Sequence, residues 1–252
     1  MDTKAIQTFL NRRTIRKYKN KPIEKEVLNS LLDCGIRASN CGNMQNYSII
    51  VTQDEDRRKQ LAALNLNQPM ALQAPIILTI CCDLNRFQLW CQQRGAQKAY
   101  DNFLWLNVGT IDATATAQSI ANAAEALGLG ICYLGSVTYM APEIAKFLCL
   151  PKYVVPVATL TVGYPDENPP LTERLPMNAV VHYEQYHNPS EQEINQMYNE
   201  IEQNIQNKEF CQINNQENLA KVFVNCRYTH KDNIDISRKY FEFIKEQGFF
   251  NQ

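Results

Sequence analysis

Hydrophobic positions along this chain follow two kinds of order. Val27, Leu28, Leu31, Leu32 and Ile36 recur at intervals of three and four behind Pro22, which predicts a helix over 23–36, with a shorter one at 4–9. Four other runs are short and rich in β-branched residues. Residues 47–52, 75–82, 131–134 and 154–162 therefore read as buried strands. Helices are expected between them over 56–64, 84–100, 110–127 and 142–148, and Pro142 suits a first helical turn. The segment 110–127 carries the strongest pattern. Ala117, Ile120, Ala121, Ala124 and Leu127 share one face, and further alanines imply close packing all round.

Four prolines between Pro165 and Pro176 mark an extended surface connection. From Pro189 onward the chain is rich in Asn and Gln, yet Ile194, Met197, Ile201 and Ile205 keep helical spacing, and a last helix is expected over 234–246. No repeat is visible and no linker parts two cores. The pattern predicts one α+β domain over 1–252 in which helices outweigh sheet, with 189–252 as a peripheral helical extension.

Composition narrows the classes. With 45% hydrophobic and 20% charged residues the chain can bury a full core, and a formal net charge of −1 gives no global pull toward nucleic acid or an anionic membrane. Any anion site must be local. The first residues hold no apolar signal core, and the longest apolar stretch, around 74–82, is too short to span a bilayer, so a soluble cytosolic protein is expected. Nine cysteines without a Cys-x-x-Cys pair read as reduced and mostly buried. His182, His187 and His230 lack metal-ligand spacing, and no serine sits in a Gly-x-Ser-x-Gly elbow.

What remains is a capacity to hold an anion. Arg12-Arg13-Thr14-Ile15-Arg16-Lys17-Tyr18 sets three guanidiniums and a hydroxyl within five residues, and arginine forks pair bidentately with phosphate oxygens. A second anchor, Arg174, lies in Thr172-Glu173-Arg174-Leu175-Pro176. Gly128 and Gly130 close a helix and precede a strand, the reverse of a dinucleotide fingerprint, so they read as a helix stop. Anion clamps without a visible acid, base, nucleophile or metal site are expected where a bound cofactor carries the reaction.

These residues resemble the FMN-dependent nitroreductase family, in its oxygen-insensitive NADPH nitroreductase and NADPH:FMN oxidoreductase branch. The resemblance is carried by Arg12 to Arg16 with Pro22-Ile23, the polar turn ending in Met44-Gln45, Ala124-Glu125-Ala126-Leu127-Gly128-Leu129-Gly130 with Tyr133-Leu134-Gly135, and Gly163-Tyr164-Pro165 with Arg174-Leu175-Pro176. It implies a mixed sheet surrounded by helices, in an interlocked homodimer with a long central helix and two sites at the interface. It also implies FMN, with NADPH or NADH as donor and a nitroaromatic, quinone or free flavin as acceptor, by ping-pong hydride transfer. By the same resemblance Arg12, Arg13, Thr14, Arg16 and Arg174 contact the phosphate, ribityl chain and pyrimidine edge. Gln68, Tyr133, Leu134, Gly135 and Ser136 line the ring, and Ser39, Asn40 and Met44 reach over from the partner subunit.

Two positions depart from the branch, which usually has His at Arg12 and Lys at Thr172. Arg227 and Lys221 lie in the tail where related enzymes read the 2′-phosphate of NADPH. A reading from another class is a non-catalytic flavin- or nucleotide-binding protein, such as a redox sensor using Cys34 or Cys41.

Overall fold

An apolar run buried along its whole length fixes the centre of the structure. Ile76–Asp83 (β2) has no exposed residue and lies between Tyr47–Thr52 (β1) and Val154–Gly163 (β4), with Gly130–Leu134 (β3) beyond β4. This computed structural model describes residues 3–251. The helix-surrounded sheet implied by the resemblance is present, and its three pairings are all antiparallel. The β2–β4 register slips between Ile80 and Cys81, where Pro156 stands opposite Cys81. Proline has no N–H to give the ladder, so a bulge at that point is its natural place.

Lys4–Leu10 (α1) and Lys25–Ile36 (α2) precede the sheet. Glu55–Leu64 (α3), Pro69–Gln73 (α4), Asn85–Gln93 (α5), Phe103–Ala126 (α6), Ser136–Tyr139 (α7) and Ala141–Phe147 (α8) are interleaved with its strands. The main core forms where α6 lies on the sheet: Ala113, Ala117, Ile120, Ala121 and Ala124 pack with Leu78, Ile80, Leu160 and Val162. Each buried aliphatic side chain of this kind contributes about 1.5–3 kcal/mol. Small residues on α6 let the helix approach closely enough to bury them all.

Several boundaries differ from the sequence pattern. The helix expected over 84–100 stops at Gln93, where Ala96 N–H turns back to the Cys91 carbonyl. The alanine-rich helix begins earlier, at Phe103, because the Asn102 side chain accepts from Trp105 N–H as an N-cap. Leu127, expected on the buried face, is 45% exposed because the helix has already ended there. Gly128 follows with φ +77°, and Gly128 N–H and Leu129 N–H close onto the Glu125 and Ala124 carbonyls. Those two bonds are a Schellman stop, so the glycine serves the helix end as the sequence suggested.

The chain divides into two compact units, one of residues up to Pro170 together with Arg238 onward, the other of Leu171–Ser237. The first holds the sheet and α1 to α8. The second holds Met177–Val180 (α9), Glu191–Gln203 (α10), Ile205–Ile213 (α11), Leu219–Val222 (α12) and a π-helical turn at Phe223–Arg227. The apolar spacing expected to run on through Ile205 is broken at Asn204, whose side chain caps α11 by accepting from Gln206 and Asn207 N–H. His230–Glu246 (α13) begins four residues before its expected start and carries the chain across the boundary at Ser237. No helix among the described residues is long and apolar enough to cross a membrane.

Candidate functional site

The arginine loop is fixed by two flanking segments. Ile15 N–H donates to the Ile131 carbonyl of β3, Lys19 N–H to the Tyr164 carbonyl, and Asp166 N–H to the Lys17 carbonyl. The buried Tyr18 hydroxyl reaches Thr161 Oγ1 at 2.8 Å and donates to the Ile15 carbonyl at 2.8 Å. Gly130 makes the first contact possible. A Cβ there would stand 2.6 Å from Ile15 Cβ, so only glycine lets the loop lie on β3.

The guanidiniums of this loop are held differently. Arg13 donates from Nη1 to Asn168 Oδ1 (2.8 Å) and the Pro169 carbonyl (2.9 Å), and from Nε to the Asn11 carbonyl (3.2 Å), all neutral acceptors. Arg12 instead faces a carboxylate, with Nε 3.5 Å from Glu125 Oε1 in the last turn of α6. Burial pushes the Glu125 carboxyl above its ordinary range, against the pull of Arg12 and Arg13. Arg16 is exposed, and its backbone N–H and that of Lys17 both donate to Glu167 Oε1. Thr14 is half-buried between them.

A small apolar cluster of Ile15, Tyr18, Ala62, Met70, Ala71, Ala74, Cys132 and Leu134 joins this loop to α4 and β3. Around it stand the residues expected along a flat ring. Gln68 precedes α4 and is half-buried, Tyr133 and Leu134 end β3, and Ser136 opens α7 at 3% exposure. Open space lies above Gly135, where a Cβ would meet nothing within 4 Å. Gln68 Nε2 donates to Ser136 Oγ at 3.1 Å, so the two sides of this face touch. Burial pushes the Tyr133 phenol up to about 12, opposed by Arg12, and raises the Cys132 thiol against Arg16 and Arg12. A buried thiol of this kind is a poor nucleophile.

Within the first unit, three expected residues lie away from this face. Ser39, Asn40 and Met44 belong to a polar turn behind α2, tied to α6 through Asp112, which accepts from Cys41 N–H (2.9 Å), Asn46 N–H (3.3 Å) and Asn46 Nδ2 (3.2 Å). Asp112 and Glu125 sit thirteen positions apart on one helix, which is roughly 20 Å. Arg174 lies in the second unit, exposed, with Nη1 donating to Thr172 Oγ1 (2.6 Å) and the Glu173 carbonyl (2.9 Å). The Thr172 that replaces the branch's usual lysine therefore serves as an acceptor for Arg174.

Sequence reasoning gave no role to Glu125, Glu167, Asn168 or Asn65, which hold the site from behind. Glu125 had a signal, a lone acid ending an alanine-rich helix beside an arginine-rich loop. The others had none, since the contacts that tie them to the site come from far along the chain, 155 positions away for Asn168 and 71 for Asn65. Among the described residues no group of His, Cys, Asp or Glu could hold a metal ion.

The chain is similar to known proteins over most of its length. Residues 10–164 match the model of the nitroreductase family, a span that begins just before the arginine loop and ends at Tyr164 beside it. An FMN reductase [NAD(P)H] of Bacillus subtilis (strain 168) is 33% identical over 189 residues, 74% of this chain and 76% of that one. An NADPH-dependent oxidoreductase of Staphylococcus aureus (strain USA300) is 36% identical over 188 residues, 73% and 74% of the two chains. A crystal structure from Bacteroides fragilis NCTC 9343 is 42% identical with a TM-score of 0.95, covering 97% of this chain and 100% of that one. Sequence, fold and the span of the match converge, and the chain belongs to the nitroreductase family.

Proposed function

We propose that the protein is an FMN-dependent NAD(P)H oxidoreductase that passes electrons to a nitroaromatic, a quinone or free flavin. The observation that carries this reading is the arginine loop seated on β3, which sets Arg12 and Arg16 near Cys132 and Tyr133 at the end of that strand, with Arg13 in the same loop. The donor set fits FMN. One end offers guanidiniums and the Thr14 hydroxyl for a phosphate ester, and the other offers the Gln68 carboxamide and uncovered backbone at Gly135 for a flat ring. Relatives that are an FMN reductase and an NADPH-dependent oxidoreductase support the same assignment.

FMN, when bound, supplies two-electron hydride chemistry at its N5. The chain's residues bind and orient. Arg13, held through Nη1 and Nε by neutral acceptors, keeps its charge and its Nη2 hydrogens for the phosphate, and a guanidinium beside the pyrimidine edge favours build-up of negative charge there. A single open face then serves nicotinamide and acceptor in turn, which gives ping-pong kinetics.

Ser39, Asn40 and Met44 complete the site from a second copy of the chain. The support is a seam along α6, where exposed Leu104, Ile111 and Gln118 alternate with half-buried Val108, Ala115 and Asn122 at intervals of four and three, as in paired helices. Antiparallel pairing about a two-fold axis turns the Asp112 end of one helix toward the Glu125 end of the other. A cytoplasmic setting belongs to the same proposal and rests on cysteines without framework spacing.

Anaerobic titration tests the function. The purified protein is expected to show flavin absorbance that bleaches on addition of NADPH or NADH and returns with a quinone. A colourless protein that stays colourless with excess FMN would overturn the reading. Bound flavin that neither nucleotide reduces would favour the non-catalytic one.

A further inference from the structure

Behind Gln68 runs a chain of hydrogen bonds that nothing in the expected cofactor chemistry requires. It starts at the C-terminal turn of α3, where Asn65 Nδ2 donates to the Leu61 carbonyl at 2.9 Å. That bond directs Asn65 Oδ1 the other way, and it accepts from the Ser136 hydroxyl at 2.8 Å. With its proton committed, Ser136 Oγ has lone pairs left to offer, and it accepts from Gln68 Nε2 at 3.1 Å. The same Nε2 also donates to the Asn65 carbonyl at 3.1 Å. Asn65 is fully buried and Ser136 3% exposed, so solvent does not substitute for any of these partners.

The direction of each bond follows from the previous one. A carboxamide nitrogen has two hydrogens, and both of those on Gln68 are used inside the protein. Reversing the Gln68 amide would set its oxygen against the Asn65 carbonyl and against a hydroxyl whose proton points away. The first contact opposes two oxygens, and the second leaves the buried Ser136 oxygen without its donor. The oxygen is therefore the atom that Gln68 offers to the open face beside Tyr133 to Ser136.

We propose that Asn65 is a positioning residue which, through Ser136, locks the Gln68 carboxamide oxygen-outward, so that the site selects a ring bearing an imide N–H. The inference rests on the flavin reading above and deepens it. An oxygen-outward carboxamide accepts from the imide N–H of a pyrimidine-type ring and rejects the same ring alkylated at that nitrogen. The class of ligand is set by hydrogen-bond polarity, with no charge involved. A site that must hydrogen-bond a ligand group discriminates strongly against the analogue lacking it, because its own polar atom is then left unpaired.

The test compares dissociation constants for FMN and 3-methyl-FMN, read by flavin fluorescence on the stripped protein. The wild type is expected to favour FMN by about tenfold or more. In Asn65→Leu the Ser136 proton is released, Gln68 can turn, and this ratio should fall several-fold. Asn65→Asp keeps an acceptor for Ser136 and should restore the ratio. Loss of packing alone would weaken both ligands together and leave the ratio unchanged, which would overturn the proposal. If Asn65→Leu does not fold, Ser136→Ala removes the same constraint, and an unaltered ratio there overturns it equally. Failure of the wild type to bind either flavin would sink the cofactor reading and this inference with it, whereas equal binding of both by the wild type would sink this inference alone.

Discussion

Arg12 and Arg13 are neighbours in sequence, yet their partners differ in charge. Arg13 is held by a carboxamide oxygen and two carbonyls, while Arg12 faces the half-buried Glu125 carboxylate. A charge-assisted bond to phosphate contributes about 1.5–3 kcal/mol. Arg13→Ala should therefore weaken FMN binding by about ten- to a hundredfold. Arg12→Ala should cost less, because part of its field is already spent on Glu125. Riboflavin, which lacks the phosphate, should bind both variants as it binds the wild type. Equal losses for FMN and riboflavin would show that the loop had been disordered and that the charge itself was not the cause. Cys41 gives the opposite expectation. Its backbone N–H, and not its thiol, meets Asp112, so Cys41→Ala should retain flavin content and turnover within about twofold. Activity lost with flavin retained would instead give the thiol a part in the chemistry.

At the scale of elements the strands were legible to within a residue at most of their ends, because continuous apolar runs buried on both faces have few alternatives. The helices α4 and α7 were not. Each is a single turn or so, and the sharp bend before α4 depends on positive φ at Leu66 and Asn67, which tertiary packing imposes. The seat of the arginine loop was not legible, since its anchors Gly130, Tyr164 and Asn168 come from remote segments. Gly130→Ala tests that anchorage. With Ile15 only 2.6 Å from the added carbon, loop and strand must separate, and both melting temperature and bound-flavin fraction should drop. A variant that melts earlier but keeps its flavin would show that the loop is positioned by Tyr18 and Tyr164 alone.

The far end of the same loop has a pH signature. Glu24 is held down to about 2, from an ordinary 4.5, first by the Tyr164 hydroxyl, then by its own backbone N–H, then by Lys21. A carboxylate with a depressed folded-state pKa stabilises the fold above its unfolded value and loses that contribution as pH falls toward the folded one. The difference in melting temperature between the wild type and Glu24→Gln should accordingly be constant above about pH 5 and shrink as pH falls toward 2. A difference that does not change over this range would remove Glu24 from the anchorage.

For the whole molecule, the decisive question is whether one chain suffices. Its polar turn and its arginine loop are tied to α6 at Asp112 and Glu125, roughly 20 Å apart, and no bending of a continuous helix brings them together. A second α6 can, if the seam of Leu104, Val108, Ile111 and Ala115 is where two copies meet. Ile111 is 60% exposed in the middle of that helix, and burying an isoleucine is worth about 1.5–3 kcal/mol. A two-fold interface counts every substitution twice. On the proposed pairing, Ile111→Glu should raise the dimer dissociation constant by at least about a hundredfold, and sedimentation should find the wild type as dimer and the variant as monomer. Because the turn bearing Ser39, Asn40 and Met44 would leave with the partner, the monomer should also lose flavin, while Arg13 and its neutral acceptors remain in place. A variant that sediments as monomer yet holds FMN as tightly as the wild type would confine the site to one chain and leave the polar turn without a part in it.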